Sequence, residues 1–296
     1  MTMKGVFIRL AAIVVGVPVV SLGLVLSWMR FQDRTNGTLI AADGKREFLL
    51  HVPASYDRTR PTPLVISLHG AAGWPAQQAN TSGWNRLADE QGFLVVYPSG
   101  NGFPHIWHPA DSSFIGALID SLTATYHVDP RRIFVNGLSQ GGGMTFVLSC
   151  TLSSRIAAVG LVAAAEELPW NWCADHRPMP MISFHGTADP IVRYAGGRNP
   201  IGPGSFPSVL DWTAHWAQRN RCAAVPTDSA IGPTTDRREY TQCAGAASVV
   251  LYTVRGGGHQ WPGGRPLPEW LAGPPAGGVD ATRLMWAFFQ QHPRAP

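Results

Sequence analysis

Ile133-Phe134-Val135-Asn136-Gly137-Leu138-Ser139-Gln140-Gly141-Gly142-Gly143-Met144-Thr145-Phe146-Val147-Leu148-Ser149-Cys150 changes its pattern in the middle. The apolar run at Arg132–Asn136 predicts a buried strand, and the apolar residues of Gly142–Cys150 predict a helix behind it. Between them, Gly137-Leu138-Ser139-Gln140-Gly141 fits G-x-S-x-G. A serine in so sharp a strand-to-helix turn sits on a strained backbone, and glycines two residues away on either side let strand and helix approach. The helix N-terminus behind it favours negative charge. Ser139 is therefore the candidate nucleophile.

The same alternation extends outward. Pro63–His69, Phe93–Tyr97, Ala157–Ala163, Met179–Phe184 and Val249–Val254 read as strands. Trp84–Gln91, Ser113–Tyr126, Val209–Gln218 and Ala281–Gln291 read as helices. Two edge strands, Thr38–Ala41 and Arg46–Val52, are expected to turn through Asp43-Gly44. Continuous apolar strands alternating with helices predict a mostly parallel central sheet with helices on both faces, an α/β class. The Gly- and Pro-rich stretches 194–207 and 262–279 are expected to be surface loops.

An acid and a base are expected downstream, in that order. Asp189 follows the Met179–Phe184 strand in Ser183-Phe184-His185-Gly186-Thr187-Ala188-Asp189-Pro190, whereas Asp175 lacks such a strand end. His259 follows Gly256-Gly257-Gly258, three glycines that suggest a backbone bent to aim the imidazole. Its neutral nitrogen would take the Ser139 proton while Asp189 fixes the tautomer. His69 and His185 fall in the wrong chain order and read as structural or site-lining residues. For an oxyanion, backbone N–H donors are expected from Gln140 and from Ala71 in Leu68-His69-Gly70-Ala71-Ala72-Gly73, with Ala72 as the alternative. Trp107, Trp170, Trp172 and Trp261 lie in expected loops. Trp261 and Trp107 are the candidate substrate-binding residues, with anchoring of a loop into the core as the competing role. Trp107 and Asp111 together are expected to shape the leaving-group side.

The rest of the chain speaks to location. Of 296 residues, 45% are hydrophobic and 14% charged, which argues against a disordered or nucleic-acid-coating chain. The net charge of +4 includes Lys4, Arg9 and Arg30; without them twenty basic residues face nineteen acidic ones. The folded part is thus near neutral, and no nucleic-acid partner is expected. Lys4 and Arg9 precede an apolar run from Leu10 to Met29, long enough for about 30 Å of helix. Residues 1–30 are accordingly expected to be a membrane anchor or a signal segment, 31–36 a linker and 37–296 a single catalytic domain. Four cysteines in an exported chain suggest two disulfides, and order along the chain suggests Cys150 with Cys173 and Cys222 with Cys243.

Taken together, LHGAAG (68–73), GWNRLADEQGFLVVYPSG (83–100), YHVDPRRIFVNGLSQGGGM (126–144), FHGTADPIV (184–192) and GGGHQWPGG (256–264) resemble the polyhydroxybutyrate depolymerase/feruloyl esterase family of α/β-hydrolases. The similarity covers about residues 37–292, and GGGHQWPGG is its most specific motif. The resemblance implies an α/β-hydrolase fold and a serine esterase. The family's nucleophile, acid and base fall on Ser139, Asp189 and His259, and its disulfide pattern is similar to the pairing above. Two positions depart from it: Gln140 stands where Asn is common after the nucleophile, and Ala71 where Cys or Ser is common.

The expected activity is hydrolysis of feruloyl, acetyl or 3-hydroxyalkanoyl esters through an acyl-enzyme, by a monomer that needs no metal or organic cofactor. The alternatives are an extracellular acyltransferase with the same triad and a non-catalytic binding module on this scaffold.

Overall fold

The computed structural model describes residues 27, 29–165, 173, 177–200 and 202–295. Most of the expected N-terminal apolar segment, Trp170, Trp172 and Asp175 lie outside the described residues. Among the described residues, no helix is long and apolar enough to cross a membrane.

The strands in chain order are β1 (Gly37–Ala41), β2 (Gly44–His51), β3 (Thr62–Leu68), β4 (Leu94–Pro98), β5 (Val128–Leu138), β6 (Ala158–Val162) and β7 (Met181–Gly186). There follow a two-residue pair, β8 (Gly197–Arg198) with β9 (Ser205–Phe206), and then β10 (Thr227–Ala230), β11 (Thr235–Tyr240) and β12 (Val249–Val254). All but the short pair join one sheet of order β1-β2-β4-β3-β5-β6-β7-β12-β11-β10. Its six central strands, β4 to β12, run parallel, and antiparallel strands extend both edges.

The helices are α1 (Pro75–Ser82), α2 (Trp84–Gln91), α3 (Ser112–Thr125), α4 (Gln140–Thr151), α5 (Val209–Arg219), α6 (Glu269–Ala272) and α7 (Ala281–Gln291). They cover the sheet from both sides, so β3 is buried along its whole length. Leu64, Ile66 and Leu68 of β3 meet Phe114 of α3, Met144 of α4 and Trp212 of α5 on one face. Val65 points the other way, into a cluster with Trp84 of α2 and Trp286 and Phe289 of α7. The strand's two-residue period sends alternate side chains into the two layers.

Three features differ from the sequence reading. The first hairpin turns at Ala42-Asp43, with Ala41 paired to Gly44, one residue earlier than expected. Helix α1, PAQQANTS, has almost no apolar stripe, yet Ala76, Gln78 and Ala79 are buried. Strands β10 and β11 carry charged residues and form through backbone pairing, β11 to β12 and β10 to β11, rather than by burying an apolar face. Disulfides Cys150–Cys173 (S–S 2.03 Å) and Cys222–Cys243 (S–S 1.96 Å) tie the ends of α4 and β11 to neighbouring segments.

Candidate active site

Ser139 stands where β5 ends and α4 begins, half-buried, with φ 55° and ψ −123°. Positive φ is strained for a residue with a β-carbon. The strain is held by hydrogen bonds from Ser139 N–H to the Val162 carbonyl (2.9 Å) and from Gly142 N–H to the Ser139 carbonyl (2.8 Å). The flanking glycines are required by contact. A β-carbon on Gly137 would fall inside the Gly141 carbonyl group. One on Gly141 would lie 2.5 Å from the carbonyl oxygens of Leu68 and His69. The turn is therefore locked to the loop that follows β3.

Asp189 lies three residues beyond β7 and is buried. Its Oδ1 accepts from the N–H groups of Ile191 (2.8 Å) and Val192 (2.9 Å), and its Oδ2 accepts from His259 Nδ1 (2.8 Å). His185 Nε2 donates to the Val192 carbonyl at 2.7 Å and also lies 3.3 Å from Asp189 Oδ2. Burial by itself would raise the Asp189 carboxyl, but hydrogen bonds from His185 and His259 outweigh it and hold the group well below the usual carboxylate range. An ionised carboxylate accepts only, so His259 Nδ1–H is the donor in this pair and Nε2 is the nitrogen left clear of it. Among the described residues, no hydrogen bond joins His259 to Ser139. Such bonds are often long before substrate binds.

The backbone of His259 is held by the 262–279 loop: its N–H donates to the Ala272 carbonyl (2.6 Å), and Gly258 N–H donates to that of Pro274 (2.8 Å). The three preceding glycines have two different causes. Only Gly256 has positive φ, +73°. Gly257 and Gly258 are small so that the loop can close over them; a β-carbon on Gly258 would strike the Ala272 carbonyl oxygen. Gln260 then cross-links that loop, donating to the carbonyls of Leu267 (3.1 Å) and Gly273 (3.0 Å) and accepting from Leu267 N–H (2.8 Å). His185, read from the sequence as structural or site-lining, is the second histidine on Asp189; Gln260 is not singled out there, although a polar side chain beside His259 in a Gly/Pro-rich stretch is the available signal.

Of the candidate oxyanion donors, Ala72 N–H is engaged by the His105 carbonyl at 2.9 Å. No backbone hydrogen bond among the described residues uses the N–H of Ala71 or of Gln140. Their loop lies against the serine: a β-carbon on Gly70 would be 4.0 Å from Ser139 Oγ. His69 donates through Nδ1 to the Gly70 carbonyl (2.7 Å) and accepts at Nε2 from Gly100 N–H (3.0 Å). Burial pushes its pKa down to about 4, so it is neutral at pH 7.

The tryptophans depart from the substrate-lining expectation. Trp107 is buried; its indole donates to the His69 carbonyl (2.8 Å), and its ring packs 4.9 Å from the His69 ring. The Gln140 amide grips the Trp107 backbone, accepting from its N–H (3.0 Å) and donating to its carbonyl (3.3 Å). Trp261 is 1% exposed and donates to Thr282 Oγ1 (2.9 Å), anchoring the His259 loop to α7. A large apolar ring with one N–H is best satisfied where both area and donor are buried. Asp111, expected on the leaving-group side, is buried and paired with Arg46 at 2.7 Å.

A mostly parallel sheet with this serine turn after β5, and an Asp–His pair at the ends of β7 and β12, defines an α/β-hydrolase. Residues 47–166 match the family described as esterase PHB depolymerase, which supports the polyhydroxybutyrate depolymerase/feruloyl esterase family. It is 30% identical over 229 residues to "Feruloyl esterase B" of Piromyces equi, covering 72% of this chain and 42% of that protein. It is also 30% identical over 148 residues to "Bifunctional acetylxylan esterase/xylanase XynS20E" of Neocallimastix patriciarum, covering 49% of this chain and 22% of that protein. The chain thus spans less than half the length of these two relatives. With "Putative esterase NocK" of Nocardia uniformis subsp. tsuyamanensis it shares 29% identity over 252 residues, 76% of this chain and 73% of that one. An acetyl xylan esterase structure from Aspergillus awamori superposes with a TM-score of 0.61 at 16% identity, covering 88% of this chain and 96% of that one, a likeness of fold.

Proposed function

We propose that the chain is an exported serine esterase that hydrolyses feruloyl or acetyl esters borne on polysaccharide. The observation that carries this reading is the position of Ser139, strained at φ 55° at the same end of the sheet as an Asp189–His259 pair joined at 2.8 Å. Ser139 Oγ attacks the ester carbonyl and its proton passes to His259 Nε2. The tetrahedral oxyanion receives the N–H groups of Gln140 and Ala71, each such donor contributing about 10²–10³-fold in rate. The C–O bond to the alcohol breaks as His259 returns the proton to the leaving oxygen. Water then attacks the acyl-Ser139 with His259 as base, releasing the acid and restoring the serine. Asp189 stays ionised throughout and stabilises the imidazolium.

The acyl groups follow from the relatives' names, which include feruloyl esterases and an acetylxylan esterase. Export is supported by two disulfides and by the apolar run 10–29. The test is turnover of methyl ferulate, acetylated xylan fragments, a 3-hydroxybutyrate oligomer and p-nitrophenyl acetate by the chain and its Ser139→Ala variant. Activity on the first two that disappears in the variant is the expected result. Turnover unaffected by Ser139→Ala overturns the assignment of the nucleophile, and preference for the 3-hydroxybutyrate oligomer overturns the acyl class.

A further inference from the structure

Away from Ser139, a cavity of about 270 Å³ opens between α1, the start of α2, the 262–279 loop and α7. Three guanidinium groups from three different segments line it: Arg86 of α2, Arg265 of the loop and Arg283 of α7. Arg283 is already neutralised, by Glu90 at 2.6 Å and Asp280 at 3.8 Å. Among the described residues, Arg86 and Arg265 have neither an ion pair nor a side-chain hydrogen bond, and the amide of Asn80 on the same wall is also without a partner. Nor does any side chain cap the first turn of α2, where Gly83 adopts a left-handed conformation at φ 70°. The lining therefore offers two unpaired guanidinium groups and a neutral amide to whatever enters, at a net charge of +1 once Glu90 and Asp280 are set against the three arginines.

We propose that this cavity binds a carboxylate-bearing sugar, a uronic acid unit of a polysaccharide, with Arg86 and Arg265 on the carboxylate and Asn80 on the hydroxyls. Guanidinium groups match a planar carboxylate with paired N–H donors. Asp280 at the rim opposes a second negative charge, which favours a monoanion over phosphate dianion. The volume is just below the usual range for drug-sized ligands, which begins at about 300 Å³, and suits a single ring.

The cavity is separate from the reacting serine. Helix α1 begins four residues after Ala71 and carries the chain about 12 Å to this wall. The two are nonetheless linked through backbone, because Arg265 N–H donates to the Thr81 carbonyl (3.1 Å) and the same loop holds His259. The proposal goes beyond the esterase reading and does not depend on it, since binding is measured without turnover.

The test is calorimetric titration of the full chain with glucuronate, glucose and inorganic phosphate, repeated with Arg86→Ala, Arg265→Ala and the double variant. Both arginines are exposed, and an unchanged melting temperature without ligand shows that the variants fold. The expected result is saturable glucuronate binding, no glucose binding, phosphate about tenfold weaker, and a loss of about tenfold or more in the double variant. Phosphate binding as tight as glucuronate overturns the carboxylate assignment. No saturable glucuronate binding, or binding that survives the double variant, overturns the site.

Discussion

Asp189 Oδ2 lies 2.8 Å from His259 Nδ1 and 3.3 Å from His185 Nε2, so one buried carboxylate serves two imidazoles. Its other oxygen is taken by two backbone N–H groups, which leaves it no reason to accept a proton. Asp189→Asn should lower kcat about 10⁴-fold with the fold retained, because an amide stabilises the wrong His259 tautomer. His185→Phe leaves the Val192 carbonyl without its donor, and should cost about 1–3 kcal/mol of stability. Its loss of kcat should be much smaller. Circular-dichroism melts and steady-state kinetics on both variants check the split.

Backbone strain at Ser139 gives a second expectation. Glycine occupies positive φ without penalty, whereas alanine keeps the clash. Both Ser139→Gly and Ser139→Ala should be inactive, and the glycine variant should melt higher by the equivalent of about 1 kcal/mol. Equal melting temperatures would show that the turn stores no strain.

The glycines divide by cause, and substitution should separate them. Gly141→Ala places a β-carbon 2.5 Å from two carbonyl oxygens, so it should cost about 3 kcal/mol and displace the Ala71 loop. Gly256→Ala meets open space at φ +73° and should cost only about 1 kcal/mol in backbone strain. Chemical denaturation of the pair measures the difference.

Gln140→Ala keeps the backbone N–H proposed for the oxyanion and removes the two-point grip on Trp107. Stability should fall by about 1–2 kcal/mol and kcat by less than tenfold, in contrast to the loss of an oxyanion donor itself. A fall in kcat of about 10³-fold would mean that the Trp107 segment holds the donor in place.

The pH dependence of stability should carry the mark of His69. Burial lowers its pKa from 6.5 to about 4, so below pH 6.5 the unfolded chain binds a proton that the folded chain refuses. Its contribution is complete above pH 6.5 and is lost as pH falls toward 4, at about 1 kcal/mol per pH unit. His69→Gln should flatten that part of the profile. Asp189, also depressed, contributes stability that is full above its unfolded pKa of about 4 and is lost only below it, so the two losses are separable in a melt series.

The parts of the fold legible in the sequence are those whose signals are local. The central strands are continuous apolar runs because both faces are covered. Ser139, Asp189 and His259 each follow such a run, and the structure puts all three at the same end of the sheet. Helix α1 is not legible in the sequence because its eight residues bury small and polar side chains, with Gln78 donating to Ser67 Oγ at 3.0 Å. Strand β11, with Asp236, Arg237, Arg238 and Glu239, exists only because β12 offers it an edge.

The sequence by itself determined the layered α/β architecture and the strand-end positions of the serine, aspartate and histidine, since period and turn chemistry act between near neighbours. Tertiary structure alone decided that Ala72 N–H is engaged while Ala71 N–H is not, because the Ala72 acceptor is the carbonyl of His105, on a different loop. It alone decided that Trp107 and Trp261 are buried anchors, since the partners of their indoles, the His69 carbonyl and the Thr282 hydroxyl, lie on separate elements. Hydrogen-bond satisfaction and burial depend on where the chain returns in space, and no spacing along it encodes that return.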